Sequence, residues 1–297
     1  MQLPAPHSAE VATIAFPRAV GHKGRILTRT KFAQGESALP PDASWTPPFS
    51  LSERLKYTLV PPRLYMWRLL RKHLRKGEPE LRMLPEIVPK GRNAIDVGAN
   101  KGVYSHLLAR LCPQVEAFEP SPKIYRILTR YLPANVTPHQ VALSDATGMA
   151  ELIVPLHSSG YSNQTASLNP RKKSEGAGIV RVPSRTLDSY GFTNVGFIKI
   201  DVEGFEESVL AGAKETIARE RPVLQIELEE QHTGKSIEDL IDGVCAHGMA
   251  AFFLQDSVLR PIAEFDPAAN RAAFRESSSE RRRLGLRYIN NFIFRPL

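Results

Sequence analysis

Apolar residues follow different rules in successive stretches of this chain of 297 residues. Up to about residue 50 the chain is punctuated by prolines and glycines (PAPHS, FAQGESALPPDASWTPPF) and holds no sustained apolar period, so residues 1–50 are expected to form a peripheral or poorly ordered arm. From Leu51 the pattern turns helical. LSERLKYTLV is followed by a Pro61-Pro62 break and by RLYMWRLLRKHLRK, where Leu64, Trp67, Leu70 and Leu74 recur at helical spacing. Two basic helices are expected, in an extension spanning residues 51–92.

At Asn93 short apolar runs begin to alternate with helical segments, the pattern of βαβ units on a parallel sheet. NAIDVGA, VEAFEP and VTPHQVAL read as strands, with GVYSHLLARL and SPKIYRILTRYL as the helices between them. AELIVP and IVRVPSRTL flank a polar stretch from Leu156 to Gly178. The alternation then resumes with strand GFIKIDV, helix FEESVLAGAKETIARE, strand PVLQIELE and helix SIEDLIDGVCAHG. Phe205, Val209, Ala213 and Ile217 form one apolar face of the first of these helices. AAFFLQ, VLRPI and YINNFIF look like strands in hairpin succession, an antiparallel addition to a parallel sheet. Residues 93–297 are therefore expected to form one α/β domain.

Composition narrows the class. Hydrophobic residues make up 42% and charged residues 24%, ordinary values for a globular domain. The net charge of +8 favours acidic partners but is weak support for nucleic acid. Cys112 and Cys245 belong to no CxxC or Cys/His cluster, so neither a disulfide framework nor a zinc site is expected. With no apolar run near the ~18 residues that span a bilayer and no secretory leader pattern, a cytoplasmic protein is expected.

The candidate chemistry lies at the carboxyl ends of strands. NAIDVGA runs into NKGVYSHLL, placing Asp96, Gly98, Asn100 and Gly102 where open α/β sheets bind ligands. Glycines suit that crevice because a ligand can approach a backbone that has no Cβ. The spacing is G-x-x-x-G, neither the dinucleotide G-x-G-x-x-G nor a P-loop, which argues against a pyrophosphate and places an NAD-dependent oxidoreductase third. Glu119 ends the next strand about twenty residues on, the separation at which an acid takes both hydroxyls of a ribose. A ribose without a phosphate cradle points to a nucleoside-type cofactor. In the second half, IKIDVEG presents Asp201 and Glu203 at a strand end, both on one side if the strand continues that far.

With those pieces, the stretch from Asn93 to Phe294 resembles the FkbM family of S-adenosylmethionine-dependent methyltransferases. The motifs that carry the likeness are AIDVGANKGVYS, AFEPSP, VALSD, FIKIDVEGFE with VLAGA, VLQIELE and NNFIF. The resemblance implies a Rossmann-like class I methyltransferase sandwich, a mostly parallel seven-stranded sheet with an antiparallel C-terminal hairpin. It further implies that Asp96 to Gly102 hold the methionine end of S-adenosyl-L-methionine, with Asn100 and Ser105 as polar contacts. Glu119 would take the ribose, Ala142, Leu143 and Ser144 would border the adenine, and Asp201 would face the methionine amino group or the reacting centre. The implied reaction is O-methylation of a sugar or secondary-metabolite hydroxyl.

An alcohol is a poor nucleophile at neutral pH, so a base near the acceptor is expected. Asp201, Glu203, Glu227, Glu229 and His232 are the candidates. A less favoured version has Asp201 and an acid of the Glu227 strand share a divalent metal, although the spacing offers no third ligand. The loop from Leu156 to Gly178 is a candidate lid, with Tyr161, Asn163 and Gln164 as polar groups toward a carbohydrate-like acceptor. Eight basic residues and no acid lie between Arg54 and Lys76. They read as a solvated helix face, or as a weak membrane-surface contact. The alternative to an enzyme is a non-catalytic nucleoside-fold protein that binds a membrane surface or protein partner through those helices.

Overall fold

Alternation in the central strands sends successive side chains to two different cores. Ala94, Phe197 and Val223 join the core on one side of the sheet, and Ile95, Val97, Ile198, Ile200, Leu224 and Ile226 join that on the other. The computed structural model describes residues 45–157, 160–163 and 165–297, so the arm expected over residues 1–50 lies outside them up to residue 44.

Helices α1 (Leu51–Leu59), α2 (Pro62–Lys76) and α3 (Glu80–Ile87) precede β1 (Asn93–Val97), α4 (Val103–Leu108), β2 (Val115–Phe118), α5 (Pro122–Leu128) and β3 (Val136–His139). Then come β4 (Ala142–Leu143), β5 (Gly148–Val154), β6 (Leu156–His157), β7 (Gly160–Tyr161) and β8 (Gly178–Arg185). The second half runs β9 (Val195–Ile200), α6 (Glu206–Ala211), α7 (Lys214–Glu220), β10 (Val223–Glu227), α8 (Glu230–Thr233) and α9 (Ile237–Cys245). It closes with β11 (Met249–Gln255), β12 (Val258–Pro261), α10 (Pro267–Arg275), α11 (Ser278–Leu284) and β13 (Asn291–Pro296).

The main sheet has the order β12-β11-β13-β10-β9-β1-β2-β3. The strands from β3 to β10 are parallel, and β13 is antiparallel to both β10 and β11. This is the mixed α/β, Rossmann-like methyltransferase architecture with one edge strand beyond the seven expected. The extra strand is VLRPI. Asp256 and Ser257, both at positive φ, turn the chain so that β12 pairs back on β11.

Other expectations shift locally. VTPHQVAL is two strands, because β3 ends the main sheet while β4 pairs with β8 in a small sheet that also holds β5. The helix read over FEESVLAGAKETIARE breaks after α6. A Cβ at Gly212 would lie 2.0 Å from the Ser144 carbonyl oxygen, and the Gly212 carbonyl accepts from Asp188 N. Of its expected apolar face, Val209, Ala213 and Ile217 are in the core, while Phe205 caps α6 and is only partly buried.

The basic extension has three helices instead of two, and they share a core with the sheet: Tyr57, Met66, Leu70, Leu81, Leu84 and Ile87 pack with Ala94, Val115 and Phe197. Its buried stripe keeps Leu70 and Leu74 of the four residues read from the sequence and takes Met66 in place of Leu64 and Trp67. Met66 and Leu70 are 4% and 7% exposed, whereas Leu64 and Trp67 are 38% and 41% exposed. Helices α10 and α11 formed no part of the sequence reading.

Candidate functional site

A row of polar side chains crosses the centre of the sheet. Asp96 on β1 lies beside Lys199 on β9, and Lys199 beside Gln225 on β10, and all three are buried. They interrupt the apolar alternation on the side covered by α4. Ser105 Oγ donates to Asp96 Oδ2 at 2.5 Å, and Gln225 Nε2 donates to the Tyr104 hydroxyl at 2.6 Å. The Tyr104 hydroxyl in turn donates to Glu78 Oε2 at 2.5 Å, and the Lys199 ammonium lies 4.5 Å from the Tyr104 ring centroid.

Burial raises the Asp96 carboxyl against the pull of Lys199 and Ser105. For Lys199, burial works downward, but Asp201 and Asp96 outweigh it and hold the ammonium charged. Lys199 Nζ donates to Asp201 Oδ2 at 2.8 Å. The lysine thus anchors the first acid of IDVEG from below, a role visible in sequence only as a charge inside an apolar strand.

The glycine turn after β1 is strapped to the tip of β2: Gly98 N and Ala99 N both donate to the Phe118 carbonyl. Gly98 and Gly102 have φ values of +77° and +82°. The space a Cβ would need is filled by protein at both. It would lie 1.9 Å from the Asp201 carbonyl oxygen at Gly98 and 2.8 Å from Leu128 Cδ1 at Gly102. Both glycines thus take the positive φ that a sharp turn requires and allow close packing beneath it, and Gly98 also lines the cleft described below.

At the tip of β2, Glu119 is gripped through both oxygens. Asn100 N donates to Oε2 at 2.9 Å and Ser121 N to Oε1 at 2.8 Å. Burial pushes its carboxyl up to about 7 despite those bonds. Asn100 itself has φ +48°, a left-handed backbone that aims its amide at the carboxylate.

These tips line a partly open cleft, whose walls include Gly98, Asn100, Glu119, Asp201, Val202 and Glu203. Val141, Ala142, Leu143 and Leu152 give it one apolar side. Ser144 lies outside the wall, its hydroxyl donating to Asp145 Oδ1 at 2.8 Å. Asp96, Gly102 and Ser105 are likewise outside the wall, with Asp96 and Ser105 buried beneath it. Asp96 thus supports the cleft through the polar row, while Glu119 and Asp201 face it.

The acidic cluster beyond β9 and β10 brings the proposed acceptor-side residues together. β9 stops at Ile200, so strand alternation does not align Asp201 with Glu203; a turn with Glu203 at φ +59° and Gly204 at φ +95° does. Glu206 Oε1 accepts from Val202 N at 3.3 Å and Gly204 N at 2.9 Å, closing that turn. Glu203 Oε2 lies 3.0 Å from Lys172 Nζ and 3.4 Å from His232 Nε2. His232 Nε2 is also 3.3 Å from Glu229 Oε2.

Burial lifts Glu203 above the ordinary glutamate value, with Lys172 opposing it. Burial and then Lys172 draw the His232 imidazole below its ordinary value, against Glu229 and Asp201. Glu227 is raised strongly, first by burial and then by the charge of Asp201 and a side-chain hydrogen bond with it. Burial pushes Asp201 up as well, but Lys199 and that hydrogen bond leave it below the usual carboxylate range. Asn290 Nδ2 donates to Glu227 Oε1 and, at 2.8 Å, to Glu229 Oε1. Among the described residues, no group of three or more His, Cys, Asp or Glu side chains is arranged to hold a metal ion.

The long loop closes over this cluster. Ser167 Oγ lies 3.1 Å from the Val202 carbonyl oxygen and 2.8 Å from that of Glu203, and Asn169 Nδ2 donates to the Gly204 and His232 carbonyls at 3.2 and 2.6 Å. Of its expected polar groups, Asn163 lines the cleft and Tyr161 packs edge-on against Trp45. Gln164 lies outside the described residues. Lys199, Lys172, Ser167, Asn169 and Asn290 were not found from sequence. Lys199, a charge inside an apolar strand, and Asn290, within NNFIF, lay in motifs that the sequence shows, whereas loop polar residues such as Ser167, Asn169 and Lys172 look alike until the chain folds.

No helix among the described residues is long and apolar enough to cross a membrane. No curated protein matches the sequence. A family model, the methyltransferase FkbM domain, matches residues 96–249, just over half of the chain. Among solved structures, a methyltransferase FkbM from Methylobacillus flagellatus KT aligns at 16% identity and TM-score 0.43, over 78% of this chain and 53% of its own. This chain thus spans about half the length of that relative.

An rRNA methylase from Streptococcus thermophilus aligns at 10% identity and TM-score 0.41, over 74% and 95% of the two chains. A putative methyltransferase from Streptococcus mutans, solved with SAH, aligns at 9% identity and TM-score 0.40, over 73% and 96%. On the family match, which spans both the glycine turn and the IDVEG turn, this chain belongs to the methyltransferase FkbM domain family.

Proposed function

We propose that this chain is an S-adenosylmethionine-dependent methyltransferase acting on a hydroxyl oxygen of a small acceptor, a sugar or secondary metabolite. The observation that carries the reading is the convergence of Glu119, Asp201 and Glu203 on one cleft with an apolar side. The residues fit the cofactor. Glu119, held by two backbone amides, keeps lone pairs for the two hydroxyls of a ribose. Val141, Ala142, Leu143 and Leu152 offer an apolar wall to an adenine. Asp201, ionised by Lys199 and Glu227, places negative charge where the methionine amino group would sit.

When bound, the cofactor supplies an electrophilic methyl group on a sulfonium. The protein's part is alignment, water exclusion and removal of one proton. Glu203 suits the proton. It lines the cleft, is more basic than an ordinary glutamate, and is held in place by Lys172 and His232. Glu227, raised by burial and by Asp201 beside it, suits that role less. His232 positions Glu203, and the loop strapped by Ser167 and Asn169 covers the cluster from solvent.

The test is transfer of a labelled methyl group from S-adenosylmethionine to a panel of hydroxylated and aminated small molecules. Label on a hydroxyl, lost in Glu203→Gln, is the expected result. Label that goes only to nitrogen and persists in Glu203→Gln contradicts the reading.

A further inference from the structure

The eight basic side chains from Arg54 to Lys76 form no ion pair among the described residues. Elsewhere several cations are matched by a carboxylate, as Lys123 is by Glu53 and Arg271 by Glu230 and Glu238. Such a block raises a positive potential that attracts anions.

The same helices expose apolar side chains that a purely solvated face would lack. On α1, Leu51, Leu55 and Leu59 recur every four residues and are 75%, 52% and 72% exposed, opposite the buried Tyr57. On α2, helical spacing puts Leu64 and Trp67 on one stripe with Arg68, Arg71 and Arg75, opposite the buried Met66 and Leu70. The Arg71 guanidinium lies 5.3 Å from the Trp67 ring.

Beside the leucine stripe, Arg54, Arg126 and Arg130 line one groove, floored by Phe49, Tyr57 and Ile127. Arg130 is fixed by donating to the Tyr57 carbonyl at 2.7 Å. No carboxylate lies within ion-pair distance of these arginines among the described residues, so the groove has the donor set for a phosphate.

We propose that α1, α2 and the Arg54–Arg126–Arg130 groove dock the protein on an anionic phospholipid surface. The arginines take headgroup phosphates, and Leu51, Leu55, Leu59 and Trp67 enter the headgroup–acyl boundary. Exposed leucines separate this occupant from nucleic acid, which would leave them in water. The inference does not depend on the proposed reaction, because none of these residues lines the cofactor cleft.

The test is co-sedimentation of the full chain with phosphatidylcholine vesicles, with and without phosphatidylglycerol. We expect recovery only with phosphatidylglycerol and release in about 0.5 M salt. Arg54→Gln/Arg126→Gln should weaken partitioning about fivefold for each arginine removed. Leu55→Ser/Leu59→Ser should weaken it about tenfold. Thermal unfolding and S-adenosylhomocysteine affinity should match wild type in both variants, showing intact folds. Equal recovery on phosphatidylcholine alone, or no recovery on either vesicle, overturns the proposal. So does displacement by millimolar glycerol phosphate with no effect of the leucine changes, which means a soluble phosphate site. Tight binding of single-stranded RNA, with no vesicle recovery, also overturns it.

Discussion

Gly98 and Asp201 meet backbone to backbone: a Cβ built on Gly98 would stand 1.9 Å from the Asp201 carbonyl oxygen. Asp201 N also donates to the Val97 carbonyl, so the tips of β1 and β9 are drawn together immediately below the cleft. Gly98→Ala must both strain a φ of +77° and push the two tips apart. We predict a loss of at least about 2 kcal/mol in urea unfolding, together with weakened S-adenosylhomocysteine binding. A variant with wild-type stability would mean that the tips separate freely.

Glu206 holds the turn that aims Glu203, and burial pushes its carboxyl up to about 7, against 4.5 in an unfolded chain. Between those values the folded state keeps a proton that the unfolded state gives up, so stability falls as pH rises through this window. Glu80 and Glu119, both also raised to about 7 by burial, act in the same direction. Glu206→Gln keeps both turn hydrogen bonds through its amide oxygen. The fall in unfolding free energy from pH 4.5 to 7 should become shallower, because one of the groups that keep a proton in the folded state is gone. An unchanged slope would assign the titration elsewhere.

Glu203→Gln should lower kcat by about 10² to 10⁴ while leaving S-adenosylhomocysteine affinity within about twofold. In the wild type, kcat/KM should rise with pH through a limb lying above the ordinary glutamate value, because burial raises Glu203. The limb should vanish in the variant. Steady-state kinetics across pH measures both.

Asn169 bonds the loop to two carbonyls of the acceptor side, those of Gly204 and His232. Its removal leaves both without that donor and should cost about 1–3 kcal/mol of loop closure. The expected result for Asn169→Ala is faster tryptic cleavage at Arg171, Lys172 or Lys173, with a raised acceptor KM and little change in global unfolding. Cleavage at the wild-type rate would show that the loop is held by other contacts.

Sequence made the strand ends legible because they are local: AIDVGANKG and IKIDVEG each state a strand, a turn and a charge within a few residues. The polar row of Asp96, Lys199 and Gln225 was not legible, since its members lie about 25 to 100 residues apart and meet only through strand register. Asp96 and Ser105 read as cleft residues because both sit near the glycine turn. Strand alternation and the first turn of α4 turn them inward instead. Amphipathic spacing on α2 showed that a helix forms and placed Leu70 and Leu74 on its buried side, but not Leu64 and Trp67, because apolar residues occur on both sides of the helix.

The central claim is that the cleft across the tips of β1, β2 and β9 seats the adenosyl cofactor through Glu119. Titration calorimetry with S-adenosylhomocysteine tests it most directly. The account predicts one site per chain with about micromolar affinity, weakened at least about tenfold in Glu119→Ala, whose thermal unfolding shows it folded. Binding in that variant as tight as in wild type, or no heat of binding from a folded wild-type chain, would contradict it.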